Sequence, residues 1–190
     1  MTNSIKEYKM FKSKISACLL AMGFIAFGAN AVDPVTQGTV TFNGKLIVET
    51  CSIVSGDENL TVTLPTLSTA SLKTPGDEAG STSFDIHAEN CDPSLTKVGA
   101  HFEAIGSTGA DMATGNLINA APAANKAAEV EVRLYDADGT PMTIGTTGQM
   151  FDIDSTTHKA TMRYIGGYYA TGVTTAGDVT AKVNYTLAYP

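Results

Sequence analysis

From Val179 to Tyr189 every second residue is apolar or aromatic: Val179, Ala181, Val183, Tyr185, Leu187 and Tyr189 alternate with Thr180, Lys182, Asn184, Thr186 and Ala188. A period of two puts the first set on one face of an extended strand and the second on the other. No helix satisfies that spacing. A strand with one apolar face needs a sheet to join and a second layer to pack against, so this run alone points to a layered β fold.

The same parity recurs upstream in shorter pieces. Leu46-Ile47-Val48 with Cys51-Ser52-Ile53 reads as a first strand, broken by Gly56-Asp57-Glu58-Asn59. Leu60, Val62 and Leu64 alternate with threonines until Pro65 ends the run, and residues 66–81 read as a surface connection rich in Ser, Thr, Gly and Pro. Phe84, Ile86 and Ala88 share one face of Ser83–Cys91, opposite Asp85, His87 and Glu89. Val98–Ile105 is another short strand, and residues 106–128 form a long loop around Leu117-Ile118. Val130, Val132 and Leu134 alternate with Glu131 and Arg133 before a turn at Asp136-Ala137-Asp138-Gly139. Met142 and Ile144 return the chain, and Phe151–Ile153 and Thr161–Tyr169 follow. Short alternating strands at intervals of roughly 8–12 residues, with turn signals between them, predict an all-β sandwich.

The start of the chain belongs to a different category. Lys6, Lys9, Lys12 and Lys14 precede the apolar run Ile15–Phe27, and Ala29-Asn30-Ala31 supplies a small-residue cleavage site. These three parts make residues 1–31 a secretory signal peptide. The apolar run is too short to span a membrane. The lipoprotein-like box ending at Cys18 is rejected, because cleavage there leaves almost no apolar segment ahead of the cysteine.

The whole chain has a formal net charge of −7, and the leader removes four of its twelve basic residues but only Glu7 of its nineteen acidic ones. An acidic chain presents no basic face to nucleic acid and no attraction to an anionic membrane. Of three cysteines, Cys18 leaves with the signal, so Cys51 and Cys91 remain in an exported protein and read as one disulfide.

Thr36 to Thr50 carries a pattern of its own. Gly38, Val40, Phe42 and Gly44 occupy alternate positions, with Thr39, Thr41 and Asn43 between them. Asn43-Gly44 is a strong hairpin signal, since both residues accept the positive φ of a type I′ turn. On that reading Thr39–Phe42 folds back on Lys45–Val48. On the other reading the segment stays extended and joins the sheet of another molecule.

Chemistry-bearing constellations are absent. His87, His101 and His158 are scattered without metal-ligand spacing. Asp136-Ala137-Asp138-Gly139 lacks the later glycine and distal glutamate of an EF-hand loop and is explained as a turn. There is no Gly-x-Ser-x-Gly, no His-Glu-x-x-His and no phosphate-binding glycine loop. The tyrosines share parity with core positions, so packing explains them. No enzyme, metal or cofactor is expected.

Four features in order along the chain complete the reading. Gly38-Thr39-Val40-Thr41-Phe42-Asn43-Gly44 is followed by Cys51 and Cys91; Val130-Glu131-Val132-Arg133-Leu134-Tyr135-Asp136 turns at Gly139; Tyr168, Ala170, Thr171 and Gly172 form a Tyr-x-Ala-Thr-Gly segment; Tyr189 is penultimate. With the export signal, these residues resemble the major subunits of chaperone–usher fimbriae, the type 1 and P pilus pilins.

The resemblance implies an incomplete immunoglobulin-like β-sandwich, completed by a donor strand from another subunit. It divides the chain into the signal peptide (1–31), an N-terminal donor-strand extension (32–44) and a pilin domain (45–190). Thr36, Gly38, Val40, Phe42 and Gly44 would form the donor strand. Val183, Tyr185, Leu187 and Tyr189 would belong to the strand that lines the groove and docks a periplasmic chaperone. The implied partners are identical or related pilin subunits, that chaperone and an outer-membrane usher. The implied location is the cell surface, reached through the periplasm, in a fimbria supporting adhesion. A minor or adaptor pilus subunit, or a self-complete secreted β-sandwich binding module, are the alternatives.

Overall fold

Alternation makes a strand only where a neighbouring strand is there to be paired with, and this chain contains both outcomes. The computed structural model describes residues 38–48, 50–106 and 109–190. The signal peptide and Thr36 lie outside the described residues. The chain divides into two units, Met1–Gly44 and Lys45–Pro190.

Among the described residues the larger unit has nine strands: β1 (Ser52–Ile53), β2 (Glu78–Glu89), β3 (Lys97–Ala104), β4 (Leu117–Ile118), β5 (Val130–Tyr135), β6 (Pro141–Met142), β7 (Phe151–Asp152), β8 (Ala160–Ala170) and β9 (Val183–Ala188). One sheet has the order β1-β2-β8-β5-β4, with β6 also pairing β5, and the other has the order β7-β3-β9. Every pairing between named strands is antiparallel.

The two sheets pack face to face, and Ile86, Ala88 and Leu134 lie on the side that alternation assigned inward. Ile86, Ala88, Leu134, Met162 and Tyr164 of the first sheet share one core with Val98, Ala100 and Phe102 of the second. At the centre, the Tyr164 ring meets Phe102 edge-on at 5.0 Å and Phe151 at 5.6 Å. Its hydroxyl accepts from the Ala100 amide at 2.9 Å and donates to the Gln149 carbonyl at 3.0 Å. A buried phenol satisfied on both counts ties the sheets together at little polar cost.

A smaller apolar cluster of Leu72, Ala127, Val130 and Ala170 holds the long connections at one end. Beside it the side chain of buried Asn119 donates to the carbonyls of Ala127 and Asp178 and accepts from the amides of Ala121 and Thr180. All four of its hydrogen-bonding positions are used, so the loop is fixed from within.

Two expected strands differ. Leu46 and Val48 are 99% and 89% exposed and unpaired, so the first strand begins only at Ser52. Leu60–Leu64 keeps its alternation but joins no sheet. The hairpin at Asn43-Gly44 is not formed: neither residue has the positive φ that its turn requires, and residues 38–47 carry no strand.

Candidate functional site: a groove between two unpaired edges

The site begins where the first strand ends. The Val54 amide donates to the His87 carbonyl, holding the chain against β2. Gly56 then takes φ 104°, a left-handed conformation that glycine adopts without a Cβ penalty, and starts a 3-10 turn at Asp57–Asn59. The Asp57 carboxylate accepts from the His87 amide at 2.7 Å and lies 2.8 Å from its ring Nδ1. The Asp57 carbonyl accepts from the Tyr185 hydroxyl at 2.8 Å. Asp57 is therefore a pin bonded to both sheets, and beyond it the chain leaves β2.

From there Glu58–Leu64 forms one bank of a groove of about 720 Å³, and Val179–Tyr185 forms the other. The floor consists of Phe84, Ile86, Phe102, Leu117, Val132, Leu134, Gly166 and Tyr168. Both banks are incomplete as sheet edges. Strand β9 pairs with β3 on one side only, and the backbone of Leu60–Leu64 has no hydrogen bond among the described residues. An apolar floor between the free edge of β9 and the unpaired backbone of Leu60–Leu64 is the complement of one more β-strand.

Burial records the same vacancy. The inward residues of β3, Val98, Ala100 and Phe102, are at most 1% exposed. Across the pairing, Leu187 opposite Ala100, Tyr185 opposite Phe102 and Val183 opposite Ala104 are only half-buried. Burial pushes the Tyr185 hydroxyl up to about 12, with the nearby Asp57 and Glu58 carboxylates adding to the effect.

The residues singled out in the sequence fall in three places. Cys51 and Cys91 are disulfide-bonded. Val183 and Tyr185 line the groove, whereas Leu187 and Tyr189 pack against the main core beyond it. The Tyr189 hydroxyl accepts from the Cys51 amide at 2.7 Å, so the end of β9 is tied to the disulfide. In the smaller unit, Gly38, Val40, Phe42 and Gly44 lie in an unpaired stretch, with Val40 77% and Phe42 91% exposed. Sequence reasoning missed the Glu58–Leu64 bank and the Asp57 pin. The signal for the bank was present in Leu60, Val62 and Leu64, whose alternation reads as an ordinary strand until its missing neighbour is seen. Among the described residues no three His, Cys, Asp or Glu side chains are grouped to hold a metal.

Comparison with known proteins decides the family. The family described as type-1 fimbrial protein, A, matches residues 64–190. The chain belongs to the type-1 fimbrial protein family. This fimbrial subunit is 40% identical to the F17 fimbrial protein of Escherichia coli, over 88% of its own chain and 96% of the relative. It is 38% identical to the major fimbrial subunit SMF-1 of Stenotrophomonas maltophilia, over 85% and 95% of the two chains. Among solved structures it resembles the P pilus rod subunit PapA, with a TM-score of 0.56, 18% identity and coverage of 74% and 99%. A chaperone–usher pilus structure gives a TM-score of 0.56 at 21% identity, covering 83% and 98%. The fold of the fimbrial subunit is thus the immunoglobulin-like pilin fold, and its family is structural.

Proposed function

We propose that this fimbrial subunit polymerises head to tail, the Gly38–Gly44 stretch of one copy entering the groove of the next as its missing strand. The observation that carries the proposal is the groove with two unpaired banks, in a chain that also holds an exposed, alternating Val40 and Phe42. Each of these side chains gains roughly 1.5–3 kcal/mol on burial. Main-chain hydrogen bonds to β9 and to Leu60–Leu64 add about 1 kcal/mol each. Gly38 and Gly44 let the backbone approach closely at either end of the apolar pair. Because donor and acceptor surfaces differ, the contact does not close on itself and generates a filament.

Before assembly the open groove is an aggregation hazard. A periplasmic chaperone lending a strand to β9, and an outer-membrane usher exchanging it for the next subunit's extension, complete the route to the cell surface. There the filament supports adhesion.

The test is a thermal melt of mature protein lacking Val32–Lys45, with and without a synthetic peptide of that segment. A large rise in Tm with the peptide, abolished when the peptide carries Val40→Asp and Phe42→Asp, is the expected result. A cooperative melt of the truncated protein that the peptide leaves unchanged would show a sandwich already complete, and would overturn the proposal.

A further inference from the structure

Asn43-Gly44 forms no turn, and the donor-strand pattern gives Gly44 a place but Asn43 none. Asn43 is the only asparagine in the chain followed by glycine. Both residues are exposed, and a Cβ built on Gly44 would meet nothing within 4 Å. The Gly44 amide makes no hydrogen bond among the described residues, and the segment is unpaired.

We propose that Asn43 is a self-modification site, deamidating in chains whose extension is free and protected in chains whose extension is paired. The Gly44 backbone nitrogen loses its proton and attacks Cγ of Asn43. A new C–N bond closes a five-membered imide, the Cγ–Nδ2 bond breaks, and ammonia leaves with the proton. Water then opens either side of the imide, giving aspartate or its β-linked isomer. The reaction needs only water, and asparagine is a heat-labile residue for this reason.

Two requirements set the rate. The attacking nitrogen must be free of other bonds, and the backbone must rotate to bring Cγ onto it. Gly44 meets both, since it lacks the side chain that would crowd the approach and restrict rotation. A strand inserted between two neighbours meets neither, because ladder hydrogen bonds hold its amides and fix its ψ. This second half of the inference rests on the donor-strand reading; the first half does not.

The molecule carries its own control. Asp138-Gly139 is open to the same ring closure, yet the Gly139 amide donates to the Asp136 carbonyl at 2.9 Å and Gly139 is locked at φ 85° in the turn. Buried Asn119, with its amide fully hydrogen-bonded, is a second.

The experiment incubates the mature full-length protein, as free subunit and as assembled filament, in warm, mildly alkaline buffer. Peptide mass spectrometry follows conversion at Asn43, Asn119 and Asp138, with the β-linked product identified by isoaspartyl methyltransferase labelling. Conversion at Asn43 is expected first in the free subunit, and on the order of tenfold slower in the filament where the ladder holds Gly44. Gly44→Ala slows it in the free subunit without steric disturbance. Conversion at Asn43 no faster than at Asn119 in the free subunit would overturn the site itself. Fast conversion in both states would overturn the protection, and with it the idea that the segment is paired in the filament.

Discussion

The two flanks of the sandwich are made of the same materials and reach opposite ends. On one flank Tyr164 is fully buried, its ring wedged against Phe102 and Phe151 and its hydroxyl bonded to the Ala100 amide of the facing sheet and to the Gln149 carbonyl. On the other, Tyr185 has the same inward parity and one hydrogen bond across to Asp57, yet stands beside an empty groove. Neither composition nor alternation separates them. The difference is one absent neighbour: β8, which carries Tyr164, has a strand on each side, and β9 has one. An alternating strand thus marks which face is to be buried, and the count of its partners decides whether the burial happens within the chain.

The largest expected effect strikes both flanks at once. Replacing Cys51 and Cys91 by serine opens a loop with a sequence separation of 40, and the chain-entropy estimate puts the loss at roughly 4 kcal/mol. Denaturant titration of the double variant checks it. A loss confined to the groove flank, with the melt of the Tyr164 side unchanged, would mean that the flanks unfold separately and that the comparison describes two structures.

The next effect tells the flanks apart. Tyr164→Phe leaves the Ala100 amide unpaired in the core and is expected to cost about 1–3 kcal/mol, against about 1 kcal/mol for Tyr185→Phe, whose half-buried ring lines the groove. Burial pushes both phenols up to about 12 from an ordinary 10.0. Folding therefore favours the neutral phenols. The stability they contribute is whole below the unfolded value and is lost as pH rises through the folded one. Stability measured across that alkaline range is expected to fall steeply in the parent protein and less steeply in either variant. Filling the groove with the donor peptide should steepen the Tyr185 contribution and leave that of Tyr164 alone.

The smallest effect lies outside both flanks. Arg163 grips Asp85 through two hydrogen bonds of 2.7 and 2.8 Å on the solvent face. The Arg163 guanidinium holds the Asp85 carboxyl below its ordinary 3.8. Its contribution is present above that value and lost as pH falls through the lowered one. Arg163→Met is expected to lower Tm slightly at neutral pH and not at all in strong acid. An effect comparable to that of Tyr164→Phe would mean that surface pairing, not core occupancy, separates stable from unstable regions here.

Much of this was legible in the residues, for a physical reason. Side-chain parity is local, so the inward sets Phe84, Ile86, Ala88 and Val130, Val132, Leu134 could be read without knowing the fold. So could the disulfide, because an exported chain leaves Cys51 and Cys91 no other partner. Pairing is not local. Leu60, Val62 and Leu64 have the parity of a strand, and nothing in those residues says that no described strand pairs with them. The Asp57 pin was unreadable for the same reason: it joins His87 and Tyr185, separated from it by 30 and 128 residues. Asn43-Gly44 offered a hairpin beside the extended reading, and the fold does not use it, since turn chemistry is permissive and does not compel a turn.

The hydrogen bond from the Cys51 amide to the Tyr189 hydroxyl ties the start of the sandwich to the end of β9. In a filament joined as proposed, tension enters each copy through its own extension, which reaches the domain at Cys51. It leaves through β9, which grips the extension of the next copy. Entry and exit meet at one edge of the sandwich, beside the disulfide. Pulling force then crosses a few residues along that edge and bypasses the Tyr164 core, so a loaded filament can stretch or slip at its joints while its subunits stay folded.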